Sequence, residues 1–161
     1  MEALARVGFI EIFRNEEAMM EYHGLDAAAA RAFAERWLPA WTGNRPEELV
    51  SYYSDDAFYA DPGIPNGVRG REALLAYFTK LLARYPDWVW THRGSIPLAD
   101  GFLNEWHATI PVAGHVIEVD GVCTVQLRAE RIYSNRVFFD RSPLLAATQQ
   151  PGGIRPHNTG R

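Results

Sequence analysis

The chain has 161 residues, 47% of them apolar and 22% charged, and a chain of this length buries roughly 68–70% of the surface it exposes when unfolded. One domain with a real core is expected, and wholesale disorder is excluded. Sixteen Lys and Arg against twenty Asp and Glu give a net charge of −4 with no basic cluster, which argues against nucleic acid and anionic membrane as partners. The single cysteine, Cys123, rules out an internal disulfide. No Cys-x-x-Cys or His-Glu-x-x-His spacing suggests zinc, and no metal or other cofactor is expected.

Residues 1–25 read as an N-terminal extension without the basic start, long apolar stretch or cleavage site of an export signal. No run of about 18 apolar residues occurs, so a cytoplasmic protein is expected. Within 2–22, Leu4, Val7, Ile10, Met19 and Met20 recur at roughly helical spacing, and the segment is read as a helix. Asp26 is an N-cap signal before a helix whose face is predicted to carry Ala29, Phe33, Trp37 and Trp41. Pro46, Glu47 and Glu48 open a second helix that should end near Ser54. Ala57–Ala60 is β-prone, and the following Asp61-Pro-Gly-Ile-Pro-Asn-Gly is dense in turn formers. Arg71 to about Arg84 repeats Leu74, Leu75, Phe78, Leu81 and Leu82 at helical spacing until Pro86. The period then changes to two, and 87–93, 101–110, 115–128 and 131–139 read as an antiparallel meander. From Pro143 onward a loose tail is expected.

Alternation assigns faces to the strands. Ile117, Val119, Cys123, Val125 and Leu127 face inward, as do Phe102, Trp106, Ala108 and Ile110, which carry Asn104 with them. Glu105 and His107 face out. Trp88, Trp90 and His92 share one face. The last strand stays ambiguous, with Val137 and Phe139 on one side and Ile132 and Phe138 on the other. The pattern as a whole is α+β: a cone of helices packed on a curved, mostly antiparallel sheet.

The segments Ser54–Pro62, Gly67–Leu74, Glu105-Trp106 and Arg136–Asp140 resemble the nuclear transport factor 2-like superfamily, particularly its SnoaL-like branch. The resemblance runs from about Asp26 to Ala147, which sets a domain at 26–147 and a tail at 148–161. It implies an apolar pocket between helices and sheet, and a homodimer. Asp61 matches the position of the carboxylate with which ketosteroid isomerases move a proton beside a carbonyl. Their two oxyanion donors correspond here to Trp37 and Cys123. Tyr59 matches a water-binding tyrosine of limonene-type epoxide hydrolases, whose Asp-Arg-Asp set falls on Ala108, Trp106 and Val137. Related cyclases place an acid where Val137 stands, and scytalone-dehydratase-like members carry a catalytic histidine on the strand of His92.

Each of these residues also has a plainer role. Asp61 can be the carboxylate of an Asx-turn before Pro62-Gly63, and His92 can be a hydrogen-bonded core residue. Cys123, with no basic neighbour in sequence, reads as a small core hydrophobe rather than a nucleophile. Trp37, Trp41, Phe78, Trp106 and Phe139 can line a pocket or fill it. Asn104, an inward amide among aromatics, must find a ligand, a water or Asp61 as partner. His107, His115, Glu118 and Asp120 are read as spread over two faces and therefore as solvated or dimer-face residues.

The expected function is cofactor-independent proton transfer, of isomerase, cyclase or dehydratase type, on a small hydrophobic metabolite. Asp61 and His92 are the expected catalytic pair, with Trp37, Trp41, Tyr59, Phe78, Asn104, Trp106, Cys123, Val137 and Phe139 around the substrate. The alternative is a protein that binds such a molecule in the same pocket without turning it over.

Overall fold

The computed structural model describes residues 25–149, so the helix expected within 2–22 and the tail from residue 150 lie outside the described residues. Helix α1, Ala27–Trp37, begins where Asp26 Oδ1 accepts a hydrogen bond from the Ala29 N–H at 2.7 Å. Its buried side is Ala30, Phe33, Ala34 and Trp37, while Ala29 is exposed. A strict spacing of four drifts around a helix that turns every 3.6 residues, so Ala29 leaves the face that Phe33 and Trp37 share. Pro39 falls in a 3₁₀ turn, Leu38–Trp41, which carries Trp41 into the core.

Helix α2, Pro46–Ser51, stops short of Ser54 because strand β1, Tyr53–Ala60, starts earlier than its β-prone half suggests. The partner that draws Tyr53 into the sheet is Ile132, far along the chain and invisible to a local pattern. Strand β2 is Val68–Arg69, and helix α3 runs over Arg71–Arg84 as its spacing predicts. Strands β3 (Val89–Leu98), β4 (Gly101–Val112), β5 (His115–Arg128) and β6 (Arg131–Phe139) form the meander. The sheet order is β2-β1-β6-β5-β4-β3, antiparallel throughout except for the parallel β1–β6 pair. Helix α1 packs on β3 and β4, and α3 packs on β1 and α2. The described residues therefore form an α+β fold, four helices on an open, curved, six-stranded sheet, with the core between the two layers.

The alternation in β4 and β5 holds: Phe102, Asn104, Trp106, Ala108, Ile110, Val119, Cys123 and Val125 are all buried. Two bulges disturb it elsewhere. A register shift between His92 and Gly94 reverses the parity of β3, so Ser95 pairs with the buried Asn104 and Ile96 is 54% exposed. The strand expected to stop at residue 93 thus runs to Leu98, and Pro97 is tolerated because β3 is an edge strand. In β6, Gln126 pairs with Ser134 but Leu127 with Ile132, leaving Tyr133 as the extra residue. Ile132, Asn135 and Val137 consequently all reach the core while Phe138 stays out, which resolves the ambiguous strand.

Gly121 stands opposite Trp106 in the β4–β5 ladder, where a Cβ would lie 2.4 Å from the indole ring. The absence of a side chain there lets Trp106 lie flat in the core. The loose tail expected from Pro143 starts instead as helix α4, Ser142–Gln149. Asp140 Oδ1 accepts from the Ser142 N–H at 2.8 Å, and Leu144 and Ala147 are buried. The Gln- and Gly-rich composition beyond residue 148 masked that short apolar spacing.

Candidate functional site

The end of β1 delivers Asp61 to the loop before β2, and its two carboxylate oxygens have separate tasks. Oδ1 accepts from the backbone N–H groups of Gly63 at 2.6 Å and Ile64 at 3.1 Å, which is an Asx-turn. Oδ2 accepts from the hydroxyls of Tyr59 at 3.0 Å and Tyr77 at 2.7 Å. The turn role and the site role, alternatives in the sequence, coexist in one side chain. A carboxylate offers about four lone-pair positions, and four donors occupy them here.

Burial first, and then the neighbouring Asp61 carboxylate, push both tyrosine hydroxyls above their ordinary pKa, so each stays protonated and donates. Tyr59 comes from β1 and is buried, while Tyr77 comes from α3 and is half-buried. Arg141, just before α4, donates to the Pro62 carbonyl at 3.0 Å and ties α4 to the Asp61 loop.

Asp61 lies on the wall of a cavity of about 280 Å³. Its aromatic walls are Trp41, Tyr85, Trp88, Trp90 and Phe139, and Lys80, Arg84 and Arg141 supply cations. The aromatics brace one another. Tyr85 stacks on Trp88 with ring centres 5.2 Å apart, and Trp88 meets Trp90 edge-on at 5.0 Å. The Trp88 indole N–H also donates to the Trp41 carbonyl, which locks the 3₁₀ turn to the start of β3.

Of the expected site residues, Asp61, Trp41, Tyr59, Val137 and Phe139 meet at this cavity. Trp37, Trp106 and Cys123 line a neighbouring void of about 10 Å³, the space of a single water, and Trp106 also borders a separate open hollow with Arg93, Glu105 and Asp120. Trp90 borders both spaces, and its indole N–H has no hydrogen-bond partner among the described residues. Phe78 lines neither. It is fully buried against Trp41, Tyr53 and Tyr59, with ring centres 5.1–5.4 Å away.

His92 and Asn104 are likewise absent from the lining of either space. They bond to each other, His92 Nδ1 to Asn104 Oδ1 at 2.8 Å, so the partner of the inward amide is this histidine rather than Asp61. The Asn104 amide faces the Cys123 sulfur at 3.9 Å. Burial pushes the Cys123 thiol up to about 12, which keeps it neutral and makes it the small core side chain its surroundings implied.

His107, Glu118 and Asp120, expected on two faces, share one, because the antiparallel register sets Asp120 directly opposite His107 and Glu118 diagonally across. His107 Nδ1 meets Asp120 Oδ1 at 2.8 Å, and its Nε2 meets Glu118 Oε2. His115, at the hairpin end, is exposed. Among the described residues no group of three or more His, Cys, Asp or Glu side chains is placed to hold a metal ion.

With this geometry in view, comparison with known proteins places the fold. The model of the SnoaL-like domain matches residues 34–135, well over half of the chain. The chain belongs to the SnoaL-like domain family. Solved structures similar to this SnoaL-like domain include a protein of ketosteroid isomerase-like fold from Catenulispora acidiphila, in complex with trimethylamine. It is 23% identical, with a TM-score of 0.66 over 77% of this chain and 97% of the other. A candidate SnoaL-like polyketide cyclase from Jannaschia is 14% identical, with a TM-score of 0.66 over 78% and 94%. AclR, a candidate hydroxylase from Streptomyces galilaeus, is 14% identical, with a TM-score of 0.62 over 78% and 100%. At these identities the likeness concerns the fold alone. A search of curated protein sequences gives no match.

The cavity residues that sequence reasoning did not place at the site of this SnoaL-like domain include Tyr85, Trp88 and Trp90 among its aromatic walls, Tyr77, Lys80, Leu81 and Arg84 on α3, and Arg141 and Leu144 at α4. A signal existed. Tyr77, Lys80 and Arg84 recur at i, i+3 and i+7, the spacing of one helix face, but their polar ends made that face look solvent-facing. No helix among the described residues is long and apolar enough to cross a membrane.

Proposed function

We propose that the cavity at Asp61 binds a small aromatic or apolar molecule and that Asp61 Oδ2 takes a proton from it without a cofactor. The observation that carries this reading is a single carboxylate on the wall of a cavity lined largely by aromatic and aliphatic side chains. Oδ2 is freed when the half-buried Tyr77 turns its hydroxyl away, and that hydroxyl can then donate to an oxygen of the substrate. Negative charge left on the substrate is offset by Lys80, Arg84 and Arg141, which border the same space. Isomerases, cyclases and dehydratases share this step.

The test is solvent-deuterium exchange into aromatic metabolites that raise the melting temperature of the protein, measured for wild type and Asp61→Asn. Exchange by wild type that the variant loses while still binding supports the reading. Tight hits that never exchange a proton leave the second reading, a binding protein. That second reading is favoured by the four donors on Asp61, which make the carboxylate a finished structural joint as well as a base.

A second copy of the chain is the proposed partner. The uncovered sheet face exposes Val89, Ile96 and Phe138, each 49–54% accessible, around the His107 cluster, an apolar surface that self-pairing would cover. Sedimentation of a monomer at micromolar concentration would remove this proposal.

A further inference from the structure

The charge of the cavity narrows the class of ligand. The chain carries −4 in total, yet the acidic and basic side chains at the cavity are one carboxylate, Asp61, and three cations, Lys80, Arg84 and Arg141. The local balance opposes the global one. Arg141 belongs to the Asp61 end: it holds the Pro62 carbonyl, and a Cβ built on Gly63 would lie 3.5 Å from the Tyr77 hydroxyl and 3.6 Å from Arg141. Its positive charge, together with four donors on the carboxylate, blunts the repulsion that Asp61 would exert on an anion.

Lys80 and Arg84 are different. Both are exposed and neither makes an ion pair among the described residues. Arg84 lies over the ring of Tyr85, itself a wall of the cavity. They stand four residues apart on α3, a like-charge spacing that weakens a helix and so is unfavourable unless an anion lies between them. Lys80 is also the only lysine in the sequence. Helix α3 sets the scale: Arg84 is seven residues beyond Tyr77, about 10 Å along an axis that rises 1.5 Å per residue. An acid end and a cationic end therefore face each other across the length of a small aromatic molecule. A cavity of about 150 Å³ accepts a benzene ring, so about 280 Å³ has room for two fused rings.

Resting on the reading of this cavity as a binding site for aromatic molecules, we infer that its ligand is an aromatic carboxylate. Its rings lie among Trp41, Trp88 and Trp90, its carboxylate reaches Lys80 and Arg84, and its far end faces Asp61. A charge-assisted contact to two cations is what separates such an acid from a neutral molecule of the same shape.

The experiment compares 2-naphthoate with its uncharged isostere 2-naphthamide by titration calorimetry on wild type and the Lys80→Gln/Arg84→Gln double variant, with circular dichroism verifying the fold. Naphthoate is expected to bind wild type at least tenfold more tightly than naphthamide. That preference should shrink with added salt and vanish in the double variant, where naphthoate affinity falls at least tenfold more than naphthamide affinity. Naphthoate should also slow acetylation of Lys80, which its uniqueness makes directly measurable. Equal binding of acid and amide, or a preference that survives in the double variant, overturns the ligand class and leaves the aromatic site standing. Failure of both probes to bind overturns the class and the site together.

Discussion

Two ends of the same inner sheet face carry polar groups among aromatics, and they have opposite fates. At one end Asp61 meets Tyr59 and Tyr77 beside open space of about 280 Å³. At the other His92, Asn104 and Cys123 are linked by hydrogen bonds, with Asn104 and Cys123 at most 1% exposed, and none of the three lines that space. Side-chain alternation predicts Asn104 and Cys123 to face inward, and both are buried, whereas Asp61, in the loop after β1, is reached only through the family resemblance. The difference is what covers them. Helix α1 lies directly on β3 and β4 and closes the histidine end, whereas the Asp61 end is roofed by the polar face of α3 and by α4, which leave a gap.

The sharpest way to break this comparison is to exchange the two candidate catalytic groups. Asp61→Asn is expected to lower proton exchange into a bound ligand by about 10²–10⁴-fold, because it removes the acceptor while preserving volume. His92→Leu is expected to leave exchange within a few-fold. A His92→Leu protein that folds as wild type yet loses exchange would mean that the closed end takes part in the chemistry. The same variant should instead cost stability, about 1–3 kcal/mol in denaturant unfolding, since Asn104 Oδ1 loses its donor inside the core. Unfolding midpoints indistinguishable from wild type would show that water reaches Asn104.

Why one end was legible and the other less so follows from the kind of information each needs. The elements, the inward face of β4 and β5 and the N-cap at Asp26 are local patterns, and Asp61 was reachable through its resemblance to family members. The extra lengths of β1 and β3 were not, because Tyr53 is drawn into the sheet by Ile132 and the bulge after His92 hides the continuing strand. The walls of the cavity were missed for a related reason. Tyr77, Lys80 and Arg84 are amphipathic side chains whose stems or rings line space while their polar ends reach water, so a hydrophobic pattern assigns them to solvent. Whether inward aromatics pack or line a space depends on which helix lands on them, and that is decided by contacts between distant segments.

A smaller effect sharpens the Asp61 end itself. Tyr77→Phe removes one of the four donors on the carboxylate and should cost about 0.5–1.5 kcal/mol of stability, measured by thermal and chemical unfolding. Exchange should change by much less than in Asp61→Asn, because the freed position on Oδ2 is the one the substrate proton needs. A loss of exchange as deep as that of Asp61→Asn would make the Tyr77 hydroxyl, rather than the carboxylate, the group that handles the proton.

The smallest expected effect lies on the outer face, where polar groups are solvated on the other side of the same strands. Hydrogen bonds that the His107 ring donates to Asp120 and then to Glu118 raise its pKa above the ordinary value, with the ring 21% exposed and both acids open to solvent. The folded protein thus holds the proton more tightly than the unfolded chain, whose histidine titrates near about 6.5. The stabilisation is complete below that pH and disappears as pH rises through the higher folded value. Stability should therefore decline slightly more between pH 6 and 8 in wild type than in His107→Gln, and added salt should narrow the gap because these charges are screened. The check is a set of denaturant midpoints at half-unit pH intervals for the two proteins. Parallel curves would mean that this histidine, though placed between two carboxylates, carries no more charge folded than unfolded.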